Sequence, residues 1–176
     1  MLSDGDVHFA LSSMIDSFNP EIDYSKFICD SVILIAPLDH HWADKGRISP
    51  EDLYQGEFIM READSGTYTA MRDALSQFDM SVRDLHTLLT LGNSEAIALA
   101  VQEGLGVAFI SEMVYDRLSQ GKVARIDITG IEIVRDIYIA RHMRRATTLA
   151  QNAFWDFIHS DDNPLQCLEL GAATSN

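Results

Sequence analysis

The sequence is poor in positive charge. Its 176 residues hold 13 Lys+Arg against 27 Asp+Glu, a formal net charge of −14. Phosphate contacts need clustered Lys and Arg, so this chain alone is excluded as a tight nucleic-acid binder. Docking on an anionic membrane is excluded on the same ground. Cysteine is almost absent. Cys29 and Cys167 stand far apart and make no CxxC pair. That spacing indicates neither a zinc site nor a disulfide framework, so both read as free thiols. No apolar run reaches the roughly 18 residues that a membrane span needs. The polar, acidic start Met1 to Asp6 lacks the regions of a secretory signal, which sets a cytoplasmic location as the expectation. Gly-x-Ser-x-Gly is missing around Ser65, Ser94 and Ser111, and neither Glu51-Asp52 nor Asp161-Asp162 makes an acid/base pair. Asp39-His40-His41 has no second His/Cys/Asp cluster at metal-binding spacing and reads as a surface turn. No catalytic residue, no cofactor and no metal is expected.

Apolar residues make up 47% of the chain, enough for a sizeable core in one domain or two small lobes. Strand-like runs are Val7 to Leu11, Phe27 to Ala36, Phe58 to Met60, His86 to Leu91, Val107 to Ile110, Val123 to Ile128 and Ile131 to Ala140. Ser49-Pro50 reads as a helix start, with Pro50 at the first helical position. A helix after Ser65-Gly66-Thr67 carries Tyr68, Met71, Leu75 and Phe78 on one stripe. A second, after Asn93-Ser94, buries Ala96, Ile97, Ala100 and Val101 and stops at Gly104. A third runs from about Glu112 to Leu118. The last begins near Thr147 or Thr148, with Ala150, Ala153, Phe154, Phe157 and Ile158 on one side. Residues 160–176 lack Lys and Arg, lose periodicity and read as a mobile tail. Alternating strands and helices predict an α/β fold with a largely parallel sheet.

Two turns look alike. Ser65-Gly66-Thr67 and Asn93-Ser94 each follow a strand and open a helix. Ligands of open α/β sheets collect at the carboxyl ends of strands, where helix N-termini offer free N–H groups to carboxylate, phosphate or sulfate. The plainer reading is N-capping, which every helix needs. Glu62, Asp64 and Glu95 oppose an anion unless they turn away, and Arg61 reads equally as the missing positive charge or as a surface residue. Gly104-Leu105-Gly106 follows a helix and precedes a strand, the reverse of the dinucleotide fingerprint, and reads as a helix stop and tight turn. Arg141 to Arg145 is the one basic cluster and reads as a solvated loop.

The order of pieces resembles the effector-binding domain of LysR-type transcriptional regulators. The residues that carry it are Gly5 to Leu11, Leu34-Ile35-Ala36-Pro37-Leu38-Asp39-His40, Ile48 to Leu53 and Phe58 to Glu62 with Ser65-Gly66-Thr67. Asn93 to Ile97, Val101 to Ala108 and Ala153 to Ile158 complete it. The resemblance covers residues 3 to 159. It implies a two-lobed, periplasmic-binding-protein-like α/β fold, one lobe complete and the other partial. Residues 1–12 would be a late strand of the first lobe, 13–131 the second lobe and 132–159 the return to the first. It implies a small organic anion as effector, held on the second-lobe side by Ser65, Gly66, Thr67, Asn93, Ser94 and Phe109. DNA would be reached only through a winged helix-turn-helix that this sequence does not contain. Strands and a helix deprived of first-lobe neighbours would favour a homo-oligomer. The rival readings are a regulator fragment that serves only as a dimerisation module, a solute-binding protein and an enzyme on an α/β scaffold.

Overall fold

The computed structural model describes residues 2, 6–15 and 19–160. In chain order its strands and helices are β1 (Phe9–Ser12), β2 (Ile22–Ala36), α1 (His41–Lys45), β3 (Arg47–Ile48), β4 (Glu57–Arg61), α2 (Gly66–Ser76), β5 (His86–Leu91), α3 (Ser94–Gln102), β6 (Ala108–Ser111), α4 (Glu112–Val114), β7 (Ala124–Ile128), β8 (Ile133–His142) and α5 (Leu149–Ile158). The chain divides into two compact units, one of residues 1–29 with 136–176 and one of residues 30–135. The resemblance implies 13 and 131 for the bounds of the second lobe.

The second unit is a sheet buried on both faces. Along β2, Val32, Leu34 and Ala36 enter one apolar cluster while Ile33 and Ile35 enter another. That period-two split is why Val32 to Ala36 is an unbroken apolar run rather than an alternating one. β4 repeats it, with Phe58 and Met60 on the first face and Ile59 on the second. Helix α2 covers the first face with Met71 and Leu75. Helix α3 covers the second with Ile97, Ala98 and Val101. β4 and β5 pair in parallel, and Phe58 makes a parallel bridge to Val107 just before β6. β6 and β7 pair antiparallel with β2, and β3 pairs in parallel with β7. The sheet is therefore mixed rather than largely parallel. The cause is β2, which runs against the strands on either side of it.

The first unit has a smaller core of Ile139, Trp155 and Ile158, with Phe9 and Phe27 against it. β1 pairs antiparallel with β8, from Phe9 opposite Arg141 to Ser12 opposite Tyr138. Phe9 stacks on Trp155 with ring centres 5.9 Å apart. The Arg141 guanidinium lies 4.1 Å from the Trp155 ring and 3.3 Å from Asp23. This residue of the basic cluster is thus a packing element of the unit rather than part of a solvated loop.

Several expectations shift in detail. Phe78 lies beyond the end of α2 and is exposed, so the stripe ends at Leu75. Ala98 takes the buried place expected for Ala96. In α5 the buried residues are Trp155 and Ile158, whereas Ala150, Ala153, Phe154 and Phe157 are exposed. The large Trp155 ring, anchored by Phe9 and Arg141, fixes which face of α5 turns inward. The third helix keeps one α turn and continues as a π-helix over Tyr115–Ser119. The segment from Ser49 is a 3-10 turn, Pro50–Gln55, closed by a Ser49/Asp52 capping box. Gly104 ends α3 as expected. Its φ is +78°, its N–H donates to the Val101 carbonyl, and the Leu105 N–H donates to the Ala100 carbonyl. That is the paired bonding of a left-handed helix stop. The tail expectation falls, apart from Ser160, outside the described residues, as does Cys167.

Candidate functional site

The register of β4 and β5 ends with Arg61 opposite Leu91, so the turns that open α2 and α3 leave neighbouring strand ends. At the first turn the Ser65 hydroxyl accepts the Tyr68 N–H at 3.1 Å. Gly66 begins the helix and Thr67, 2% exposed, follows it. At the second turn the Asn93 side-chain oxygen accepts two N–H groups, from Glu95 at 2.7 Å and Ala96 at 3.2 Å. Both turns are therefore N-caps in the ordinary sense. A cap uses acceptor oxygens only, and this leaves the hydroxyl proton of Ser65 uncommitted.

The other two hydroxyls are held in the same way by charged donors. Arg61 Nη1 donates to Ser94 Oγ at 2.8 Å. Arg135 Nη1 donates to Thr67 Oγ1 at 3.1 Å. Arg61 is itself forked onto Glu62, at 2.8 Å from Nε and 2.7 Å from Nη2. That fork, with the Glu62 backbone N–H, holds the Glu62 carboxyl down at about 2. Glu62 thus faces Arg61 and neutralises it, and the guanidinium is a locked link from the end of β4 to Ser94 rather than a free cation. Phe109 is 3% exposed and stacks on Phe58 with ring centres 5.8 Å apart, among the apolar cluster that α2 covers.

Asp30, Ser111 and Arg135 are absent from the expected site. Asp30 interrupts the apolar course of β2, and its side chain is fully buried. A charge inside a two-faced strand is a signal readable from sequence, since such a group needs a partner. The partner, Arg135, lies 105 residues away, and nothing local names it. Elsewhere the His40 ring caps α1 by accepting the Trp42 N–H at 3.2 Å. No group of three or more His, Cys, Asp or Glu among the described residues is arranged to hold a metal ion. Cys29 is a free thiol whose pKa burial pushes up. No helix among the described residues is long and apolar enough to cross a membrane.

The family model described as the LysR substrate binding domain matches residues 1–162. The chain belongs to this family. Curated relatives of this LysR substrate-binding domain include an uncharacterized HTH-type transcriptional regulator of Methanocaldococcus jannaschii, 31% identical over 141 residues, covering 80% of this chain and 48% of the relative. The RuBisCO operon transcriptional regulator of Allochromatium vinosum is 29% identical over 150 residues, covering 85% and 49%. The chain spans about half the length of these curated relatives. Among solved structures, the regulatory domain of CcmR from Synechocystis PCC6803 in complex with 2-PG aligns with a TM-score of 0.75 at 24% identity, covering 89% of this chain and 74% of that one. The effector binding domain of QuiR in complex with shikimate aligns with a TM-score of 0.77 at 17% identity, covering 89% and 72%. These likenesses establish the periplasmic-binding-protein-like α/β fold of the LysR domain.

Proposed function

We propose that the LysR domain described here senses a small organic anion at the Ser65-Gly66-Thr67 and Asn93-Ser94 turns, with Phe109 as the apolar support beneath them. Three hydroxyls carry the reading. Ser65 accepts from the Tyr68 N–H, Thr67 from Arg135 and Ser94 from Arg61. Each oxygen is occupied as an acceptor, so each has its proton left to give. Donors at the starts of two helices match a ligand rich in acceptor oxygens, a carboxylate or phosphate, and mismatch a cation. The residues named offer no nucleophile with a base, so binding rather than catalysis is the proposed activity. Residues 30–135 would be the second lobe, and the parent regulator would alter transcription when the anion is bound. The cytoplasm is the proposed location.

Isothermal titration of the chain with 2-PG, shikimate and inorganic phosphate, beside Ser65→Ala and Ser94→Ala, tests this. A saturable signal with one anion, weakened in both variants, is the expected result. At a hundredfold excess over Kd the same ligand would stabilise the fold by about 2.7 kcal/mol. Binding undisturbed in both variants would refute the assignment.

A homo-oligomer is the second part of the proposal. It is supported by the first unit, where α5 leaves Leu149 90%, Phe154 44% and Phe157 48% exposed.

A further inference from the structure

Asp30 and Arg135 are the first and last residues of the second unit, on the neighbouring strands β2 and β8. The Asp30 side chain is fully buried and that of Arg135 is 16% exposed. A buried carboxylate needs a countercharge and filled lone pairs. Asp30 has both. Its Oδ2 accepts from Arg135 Nε at 2.9 Å and Nη2 at 2.7 Å, and its Oδ1 accepts the Ser111 hydroxyl at 2.8 Å.

The guanidinium is flat and rigid, so fixing one edge fixes the position of its third nitrogen. That nitrogen, Nη1, donates to Thr67 Oγ1 in the first turn of α2. With this lone pair filled, the Thr67 hydroxyl proton is turned to another direction, and no described residue accepts it. Stability alone does not account for the arrangement. Replacing a buried ion pair by apolar side chains of similar volume is often neutral or favourable. The carboxylate would also be as well satisfied if Nη1 met no hydroxyl.

We propose that Arg135 is a positioning residue of the effector site, with Asp30 as its anchor. It orients the Thr67 hydroxyl toward an anionic ligand, and it links that hydroxyl to the two points where the chain enters and leaves the unit. The inference rests on Ser65-Gly66-Thr67 being the effector turn. A ligand that takes the Thr67 proton strengthens the hydrogen bond that Oγ1 accepts, because bonds in a chain polarise one another. The occupied site therefore tightens the clasp between β2 and β8.

The test uses the full chain, with 2-PG and inorganic phosphate as probes. Its variants are Arg135→Lys, Thr67→Val, Thr67→Ser and the double variant Arg135→Lys/Thr67→Val. Amide hydrogen exchange without ligand is read at Tyr68 and Thr69, whose N–H groups both bond to Ser65. Arg135→Lys keeps the charge and loses the fork. It is expected to speed exchange at those two amides and to weaken the probe about tenfold, the scale of one charge-assisted hydrogen bond. Thr67→Val should weaken the probe equally, Thr67→Ser should retain binding, and the double variant should be no worse than either single one. Thr67→Val keeps both members of the ion pair and still reports if Arg135→Lys fails to fold. A lowered melting temperature in Arg135→Lys with unchanged exchange and affinity would overturn the proposal, as would additive losses in the double variant. If the unmodified chain binds neither probe, the effector reading fails for these anions, while unchanged exchange in Arg135→Lys would separately refute the positioning role.

Discussion

Arg61 and Ser94, at the end of one strand and the start of the helix that follows its neighbour, are joined by a 2.8 Å hydrogen bond from Nη1 to Oγ. The bond ties the end of β4 to the Asn93-Ser94 turn through a charge that Glu62 cancels. Glu62→Gln removes the cancellation and keeps the shape. The affinity of the chain for inorganic phosphate at low salt is expected to rise severalfold, roughly threefold to tenfold, and the gain should shrink as salt is added. Calorimetry at two ionic strengths measures it. Unchanged affinity at low salt would mean that Arg61 does not face the anion.

The His40 cap makes stability depend on pH. The neutral ring accepts the Trp42 N–H through Nδ1, and a proton on that nitrogen would remove the acceptor. Burial, then the neighbouring His41, hold the His40 pKa below its ordinary 6.5. The folded state thus binds this proton less readily than the unfolded chain. The contribution is complete above pH 6.5 and is lost as pH falls through the lower folded value. His40→Asn supplies an acceptor that does not titrate in this range. Urea melts from pH 7.5 to 5 should show a slope in the unmodified chain that is flatter in the variant.

Gly56 is held by space rather than by backbone sign. A Cβ there would lie 2.5 Å from Cη2 of Trp42 and 2.9 Å from Cε2 of Phe58, both in the core. Gly56→Ala should cost about 1–3 kcal/mol, the usual range for overpacking, at an unchanged denaturant slope. A neutral Gly56→Ala would show that the Trp42 ring can move aside.

The exposed apolar residues of α5 give a direct test of association. Phe154→Glu with Phe157→Glu changes two side chains outside the buried pair Trp155 and Ile158. Light scattering over micromolar concentrations should show a mass that falls toward the monomer in the double variant while the melting curve stays cooperative. A monomer in both proteins would remove the case for a homo-oligomer through this helix.

Local chemistry made much of the second unit readable. Ser65 and Asn93 announce helix starts because a cap is a contact of two or three residues, and Gly104 announces a stop because it supplies the positive φ. The apolar run that ends at Ala36 declared a strand, and the two clusters show it buried on both faces. The direction of its partners was hidden, since β6 and β7 meet β2 from more than 70 residues away. The faces of α5 were misjudged because Trp155 is fixed by Phe9, whose distance in sequence conceals the stacking. At the site the caps were legible, whereas the charged supports were not. Asp30 signals a missing partner, but Arg135, 105 residues away, looks like an ordinary strand residue until the fold brings the two together. The role of Arg61 was open in the sequence, and the fork onto Glu62 decides it.

The clasp between residues 30 and 135 has a consequence for how this unit can be handled. A segment whose two ends sit side by side is a cassette: it enters a host through one gap and leaves through the same gap. Both apolar clusters of residues 30–135 lie wholly within the segment, so its packing travels with it. Grafted into a surface loop of an unrelated protein, it would carry its turns, caps and supporting arginines as one transferable part.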